Sequence, residues 1–200
     1  MLIVLTGIDG SGKTTAARAL ASAALAEGRE ALLLSNYAGR RRMSLLSARL
    51  GIRLPPRLAD AVESIIRSAN VLVSHARASR FQGLVVMDRH LHCQLALREA
   101  KGLPRGRALP WLLQKLPAPD LVIHLDIDPQ QAHDRIVARG TDEESLADLT
   151  ALRDAYRALP EFTGFTVVDA GAPEHQVLAD LRRALAQAEK ARTSAARLKV

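Results

Sequence analysis

Residues Gly7-Ile8-Asp9-Gly10-Ser11-Gly12-Lys13-Thr14 fit the pattern G-x-x-x-x-G-K-[ST] in full, and their flanks decide what the pattern means. Before them, Leu2-Ile3-Val4-Leu5-Thr6 is apolar and rich in β-branched residues, as a buried parallel strand requires; after them, Ala16 to Leu25 favours helix. In the order strand, glycine loop, helix, the glycines let successive backbone N–H groups converge on a polyphosphate at the positive end of a helix. Lys13 is then expected to bridge the outer phosphates and the Thr14 hydroxyl to take a Mg²⁺ site. Gly7, Asp9, Gly10, Ser11, Gly12 and Thr15 complete the cradle. A chance glycine turn would explain the spacing but not the strand and helix around it, so the chain is expected to bind a nucleoside triphosphate.

At 200 residues, 48% hydrophobic and 24% charged, the chain has enough apolar material for one large core, and a single domain is expected over residues 1–190. The net charge of +7 points to an anionic partner, nucleotide phosphates or nucleic acid, or else to solvated arginine-rich faces. Cys93 stands alone, which excludes an intrachain disulfide and favours a reducing compartment. The start has no basic leader region, and no apolar run approaches the ~18 residues of a membrane span. A cytoplasmic protein is the expectation.

Gly28 is placed to end the first helix, and Ala31 to Ser35 predicts the second strand of a β-α-β unit. The polar loop Asn36 to Arg42 then falls where open α/β sheets bind ligands. Arg40, with Arg41 and Arg42, is either a clamp for substrate phosphate or a solvated basic turn. From Arg57 to about Ser79, Leu58, Val62, Ile65, Ile66, Ala69, Leu72 and Val73 recur at helical spacing, interrupted by Glu63, Arg67 and Asn70. Leu84 to Met87 predicts a strand ending in Asp88-Arg89-His90. Asp88 there is a Walker-B-like carboxylate able to orient Mg²⁺ through a water, or a plain cap.

Leu91 to Ala100 should be helical, 102–107 is a basic loop, and Leu109 to Leu116 is a short apolar segment whose Trp111 reads as core. Leu121 to Asp126 predicts a strand, followed by a helix capped by Asp128 with Pro129 at its first position. Arg135 and Arg139 share one face of that helix and lead into a polar stretch, a candidate lid over about 139–146; they either serve the lid or pair with Asp134 or Glu143. A helix from Ser145 to Leu159, a strand from Phe165 to Asp169 and a helix from Pro173 to about Lys190 close the domain. Residues 191–200 read as a basic, flexible tail.

The glycine loop with its Asp9, the Asp88-Arg89-His90 stretch, the run Pro119-Asp120-Leu121-Val122-Ile123-His124-Leu125-Asp126-Ile127-Asp128-Pro129 and the arginine pair resemble, in order and spacing, the thymidylate kinase branch of the nucleoside monophosphate kinases. The resemblance spans nearly the whole chain. It implies a three-layer α/β P-loop fold with a parallel sheet of five strands in the order 2-3-1-4-5, ATP as donor, Mg²⁺, and conversion of dTMP to dTDP by a homodimer. By position, Asp9 would face the acceptor sugar near its 3′-hydroxyl, Arg89 would hold the acceptor phosphate, and Arg67 would reach the acceptor nucleotide. In the subgroup with glycine at the position of Gly10 the lid supplies the transition-state cations, here Arg135 and Arg139.

The chain departs from the family pattern in several places. Ser35-Asn36-Tyr37-Ala38-Gly39-Arg40 replaces Arg-Glu-Pro-Gly-Gly, Glu63 falls where an aromatic residue stacks on thymine, Leu97-Arg98 replaces Tyr-Gln, and Asp142-Glu143-Glu144 replaces Asp-Arg. These changes spare the phosphate chemistry and leave the acceptor base open. A monophosphate is already an oxyanion at neutral pH, so its phosphorylation needs positioning and charge neutralisation but no general base. A nucleoside kinase must deprotonate a 5′-hydroxyl and carries a carboxylate just after strand 2, where this chain has Ser35-Asn36-Tyr37; Glu63 or Asp88 would have to serve instead. A P-loop kinase for another small molecule shares every phosphate feature. A nucleic-acid module is disfavoured by 3% aromatic content and the lack of a recognition-helix or zinc pattern.

Overall fold

In chain order the elements are β1 (Leu2–Thr6), α1 (Lys13–Ala26), β2 (Ala31–Ser35), α2 (Pro56–Ala78), β3 (Leu84–Asp88), α3 (Leu91–Ala100), α4 (Ala108–Lys115), β4 (Leu121–Asp126), α5 (Pro129–Arg139), α6 (Leu146–Ala158), a 3-10 turn (Pro160–Gly164), β5 (Thr166–Asp169) and α7 (Glu174–Arg197). This computed structural model describes residues 1–36, 56–140 and 144–197. Arg40 and its two neighbouring arginines, and residues 141–143 of the candidate lid, lie outside the described residues.

The five strands form one parallel sheet in the order β2-β3-β1-β4-β5, as the family resemblance implied. Parallel strands need helical crossovers, which cover both faces and explain why these strands are apolar without alternation. Ile3, Val4, Leu5, Val86, Met87 and Ile123 are fully buried, and each such side chain contributes about 1.5–3 kcal/mol. Register decides where the chemistry falls. Leu5 pairs with Asp88 and Ser35 with the same Asp88, so the glycine loop, the Asp88-Arg89-His90 stretch and Asn36 emerge side by side at the carboxyl edge of the sheet.

Local signals set the helix ends. Asp128 Oδ1 accepts from the Gln130 and Gln131 N–H groups (2.9 and 3.3 Å), with Pro129 at the first position and Gly140 closing α5 in a left-handed conformation. Such a cap stabilises a helix by about 1 kcal/mol. Ser145 caps α6 by accepting from the Asp148 N–H at 3.1 Å.

Two expectations need correction, and the orientation of α2 is a further finding. The apolar stripe of α2 does not face the core: Ile65 is 68% and Val73 59% exposed, while Arg67, Ser74 and His75 are buried. Apart from Val71, which joins the core, the buried side of α2 is polar, and it closes over the sheet edge that carries Asp88, Arg89 and Asn36, where polar partners are available. Trp111 is 60% exposed, since α4 is anchored through Leu109, and a residue two positions on points about 200° away round a helix. The closing helix runs on to Arg197, so it takes in most of the expected tail. Among the described residues no helix is long and apolar enough to cross a membrane.

Candidate active site

Between β1 and α1 the loop is drawn tight against its neighbours. At Gly7 (φ 139°) a Cβ would meet the Leu125 carbonyl oxygen at 2.6 Å, and at Gly10 (φ 82°) it would meet the Ala132 carbonyl oxygen at 2.5 Å. Position 10 therefore admits no side chain, and the space it leaves is taken by α5, the helix that carries Arg135 and Arg139. Ser11 is buried, and Gly12 precedes α1 at φ 82°.

Lys13 begins α1 and is buried, its Nζ donating to the Ile8 carbonyl at 2.6 Å and standing 3.4 Å from Asp9 Oδ1. That same carboxylate oxygen pairs with Arg89 Nη2. Burial works to raise the Asp9 pKa, but Lys13 and Arg89 hold it well below the usual carboxylate range. On the arginine, burial is likewise outweighed by Asp9, which raises its pKa. Burial and Arg89 lower the Lys13 pKa, with Asp9 opposing. One carboxylate thus gathers two cations from sites 76 residues apart in the chain (89 − 13).

Arg89 occupies the left-handed region at φ 75°, which costs a non-glycine residue on the order of 1–3 kcal/mol and persists only where surroundings impose it. Asp88, just before it, accepts a 2.6 Å hydrogen bond from Thr14 Oγ1 on Oδ2; its Oδ1 is buried and has no hydrogen-bond partner among the described residues. Two hard oxygen groups in contact, one with spare acceptor capacity, suit Mg²⁺, which binds through one or two protein oxygens, phosphates and retained water. The pair fits the ion.

Beside the loop lies a cavity of about 360 Å³, within the range of small-ligand pockets. It is lined by Gly10, Ser11, Gly12 and Thr15 of the loop and α1, by Arg135 and Arg139 of α5, and by Ala170, Ala172, Val177 and Leu178 among others. Arg135 Nη1 donates to the Ala170 carbonyl (3.0 Å) and Gln131 Nε2 to that of Gly171 (3.1 Å), so α5 and the β5–α7 loop are tied together. Arg135 and Arg139 therefore line the same cavity as the glycine loop while both remain exposed. Arg67 is buried on the face of α2 that also carries Val71 and Ser74, and Gln94 Nε2 donates to Ser64 Oγ at 2.6 Å across the α2–α3 contact.

Several contributors were not singled out from sequence. Arg153 grips Asp126 with two 2.9 Å bonds and Arg157 adds a third at 2.8 Å, pinning α6 to the end of β4. The i, i+4 spacing of those arginines was the available signal. Tyr156 is buried with its ring 4.9 Å from that of His124, and Asn36 lies under Arg89; neither belongs to a pattern that one chain reveals.

A thymidylate kinase family model matches residues 5–181. A thymidylate kinase of Xanthomonas euvesicatoria pv. vesicatoria (strain 85-10) is 32% identical over 193 residues, covering 89% of this chain and 80% of the relative. One of Xanthomonas oryzae pv. oryzae (strain PXO99A) is 32% identical over 190 residues, covering 89% and 79%. A probable thymidylate kinase of Pyrobaculum aerophilum is 30% identical over 194 residues, covering 90% and 93%.

Proposed function

Since this chain belongs to the thymidylate kinase family, we propose how its residues divide the work of ATP- and Mg²⁺-dependent phosphoryl transfer to dTMP, which yields dTDP. Lys13 and the backbone N–H groups of Gly10 to Thr15 bind the donor phosphates, with the nucleoside in the cavity beside Arg135 and Ala170. Thr14 and Asp88 hold Mg²⁺, which when bound neutralises charge on the outer phosphate oxygens. Arg89 binds the acceptor phosphate, Asp9 faces the acceptor sugar, Arg67 and Arg40 reach the acceptor nucleotide, and Arg135 and Arg139 meet charge developing in the transition state.

The observation that supports this division is the double ion pair on Asp9, because it sets the donor-phosphate cation and the acceptor-phosphate cation around one oxygen. Two reacting phosphates brought to those cations lie within bonding reach, and alignment is what an already ionised acceptor needs. Asn36, in the stretch where a nucleoside kinase would carry its base, is an amide committed to Ser74 and Arg89 and cannot itself take up a proton there.

Kinetics with each substrate varied separately test the division. Arg89→Ala is expected to raise KM for dTMP about 10- to 150-fold, the equivalent of a charge-assisted contact of ~1.5–3 kcal/mol, with KM for ATP within about twofold. An equal rise for ATP would make Arg89 a donor-site residue. Arg135→Ala and Arg139→Ala should lower kcat with little change in either KM, and an unchanged kcat would remove them from the transition state.

A homodimer is part of the same proposal, supported by the exposed Ile65, Leu72 and Val73 on α2, an apolar strip a second copy would cover. So is a cytoplasmic location, which suits an ATP-consuming reaction and a buried free thiol at Cys93.

A further inference from the structure

Among the described residues Arg89 is the one non-glycine with a left-handed backbone, and its neighbours account for both of its backbone polar groups. Its N–H donates to the Leu5 carbonyl (3.2 Å), and its carbonyl accepts from Asn36 Nδ2 (2.7 Å). Asn36 is itself held at two points: its N–H donates to the Asp88 carbonyl (3.0 Å) and its Oδ1 accepts from Ser74 Oγ (2.7 Å). The next residue of α2, His75, shares a hydrogen bond with His90 through their Nε2 atoms (2.9 Å). Two successive residues of α2 thus hold the chain on either side of the Arg89–His90 peptide.

Chemistry determines the orientation of the Asn36 amide. A backbone carbonyl only accepts, so Nδ2 must face Arg89, which leaves Oδ1 to receive the Ser74 hydroxyl proton. Asn36, Ser74, His75 and His90 are all buried, so water is not at hand to replace a lost bond. The strand ladder ends at Asp88, and Asn36 extends its hold by one residue through a side chain.

We propose that Asn36 and Ser74 are positioning residues for acceptor-phosphate recognition: by holding the Arg89 carbonyl they keep the left-handed turn that aims its guanidinium at Asp9 and the incoming phosphate. This rests on the reading of Arg89 as the acceptor-phosphate ligand. Asparagine is the residue such a link requires. Aspartate would set acceptor against acceptor at the Arg89 carbonyl, and alanine would leave that carbonyl and the Ser74 hydroxyl unpaired.

Calorimetric titration of the full chain with dTMP and, separately, with ATP tests the proposal. Asn36→Asp is expected to weaken dTMP binding by about tenfold or more, as a small misplacement of a clamping group does, and to leave ATP binding within about twofold. Ser74→Ala, which spares the bond to Arg89, should give a smaller loss with the same selectivity. In an Arg89→Ala background Asn36→Asp should add nothing, since its effect acts through the missing guanidinium. If Asn36→Asp does not fold, as circular dichroism would reveal, Ser74→Ala and its cycle with Arg89→Ala carry the same test. Equal losses for both ligands, or additive losses in the double variant, would overturn the proposal. Weakening by Arg89→Ala but not by Asn36→Asp or Ser74→Ala would overturn it alone, whereas unchanged dTMP binding in Arg89→Ala would overturn it together with the acceptor role of Arg89.

Discussion

Lys13→Ala is expected to lower kcat by about three orders of magnitude, the scale seen when a preorganised charge at a transferring phosphoryl group is removed. The effect is large because Lys13 is buried against its own loop, so no solvent cation stands ready to replace it. The fold should survive. Asp9 keeps its ion pair with Arg89, and the Cβ of alanine continues α1 without a new polar group. Circular dichroism beside a coupled ATP-consumption assay separates the two effects. Turnover within about tenfold of the parent chain, with the fold intact, would remove Lys13 from the chemistry.

Acid should weaken the fold well before it reaches the carboxylates. His92 and His124 are buried, and burial brings each pKa from 6.5 down to about 4, with Arg105 also lowering the first and Lys13, Arg157 and Arg153 the second. Between those values the unfolded chain binds protons that the folded chain refuses, so stability rises with pH; it is fully present above about 6.5 and is lost as pH falls toward 4. From pH 7 to pH 5 the two groups together cost about 4 kcal/mol, or roughly 8–16 °C in Tm for a chain of this size. His75 and His90 shift in the same direction for the same reason. Thermal melts across that range read the effect directly, and His124→Gln, which can still bond Thr6 Oγ1, should flatten the curve. A Tm that moves by less than about 3 °C would mean that these rings protonate without leaving the fold.

The Asp128-Pro129 start of α5, the Gly140 stop and the apolar strands were legible because each is a local matter of caps, φ preferences and burial on two sides. The strand–glycine loop–helix unit around Lys13 was legible for the same reason, its strand, glycines, lysine and threonine being contiguous. The inward face of α2 was not legible because periodicity reports which residues share a side, not which side meets the sheet. The polar side won there, since Asn36 and Arg89 offered it hydrogen bonds, while Ile65, Leu72 and Val73 stayed outside.

Sequence alone therefore determined the parallel α/β architecture and the strand–glycine loop–helix unit that carries Lys13 and Thr14, because short-range chemistry specifies both. Tertiary structure alone decided that Asp9 gathers Lys13 and Arg89, that Thr14 meets Asp88, that Asp126 anchors α6 through Arg153 and that Asn36 and Ser74 hold the Arg89 carbonyl. Each joins atoms within hydrogen-bonding or ion-pair distance, and most join segments far apart in the chain. Only strand order and register bring such groups to the same edge of the sheet.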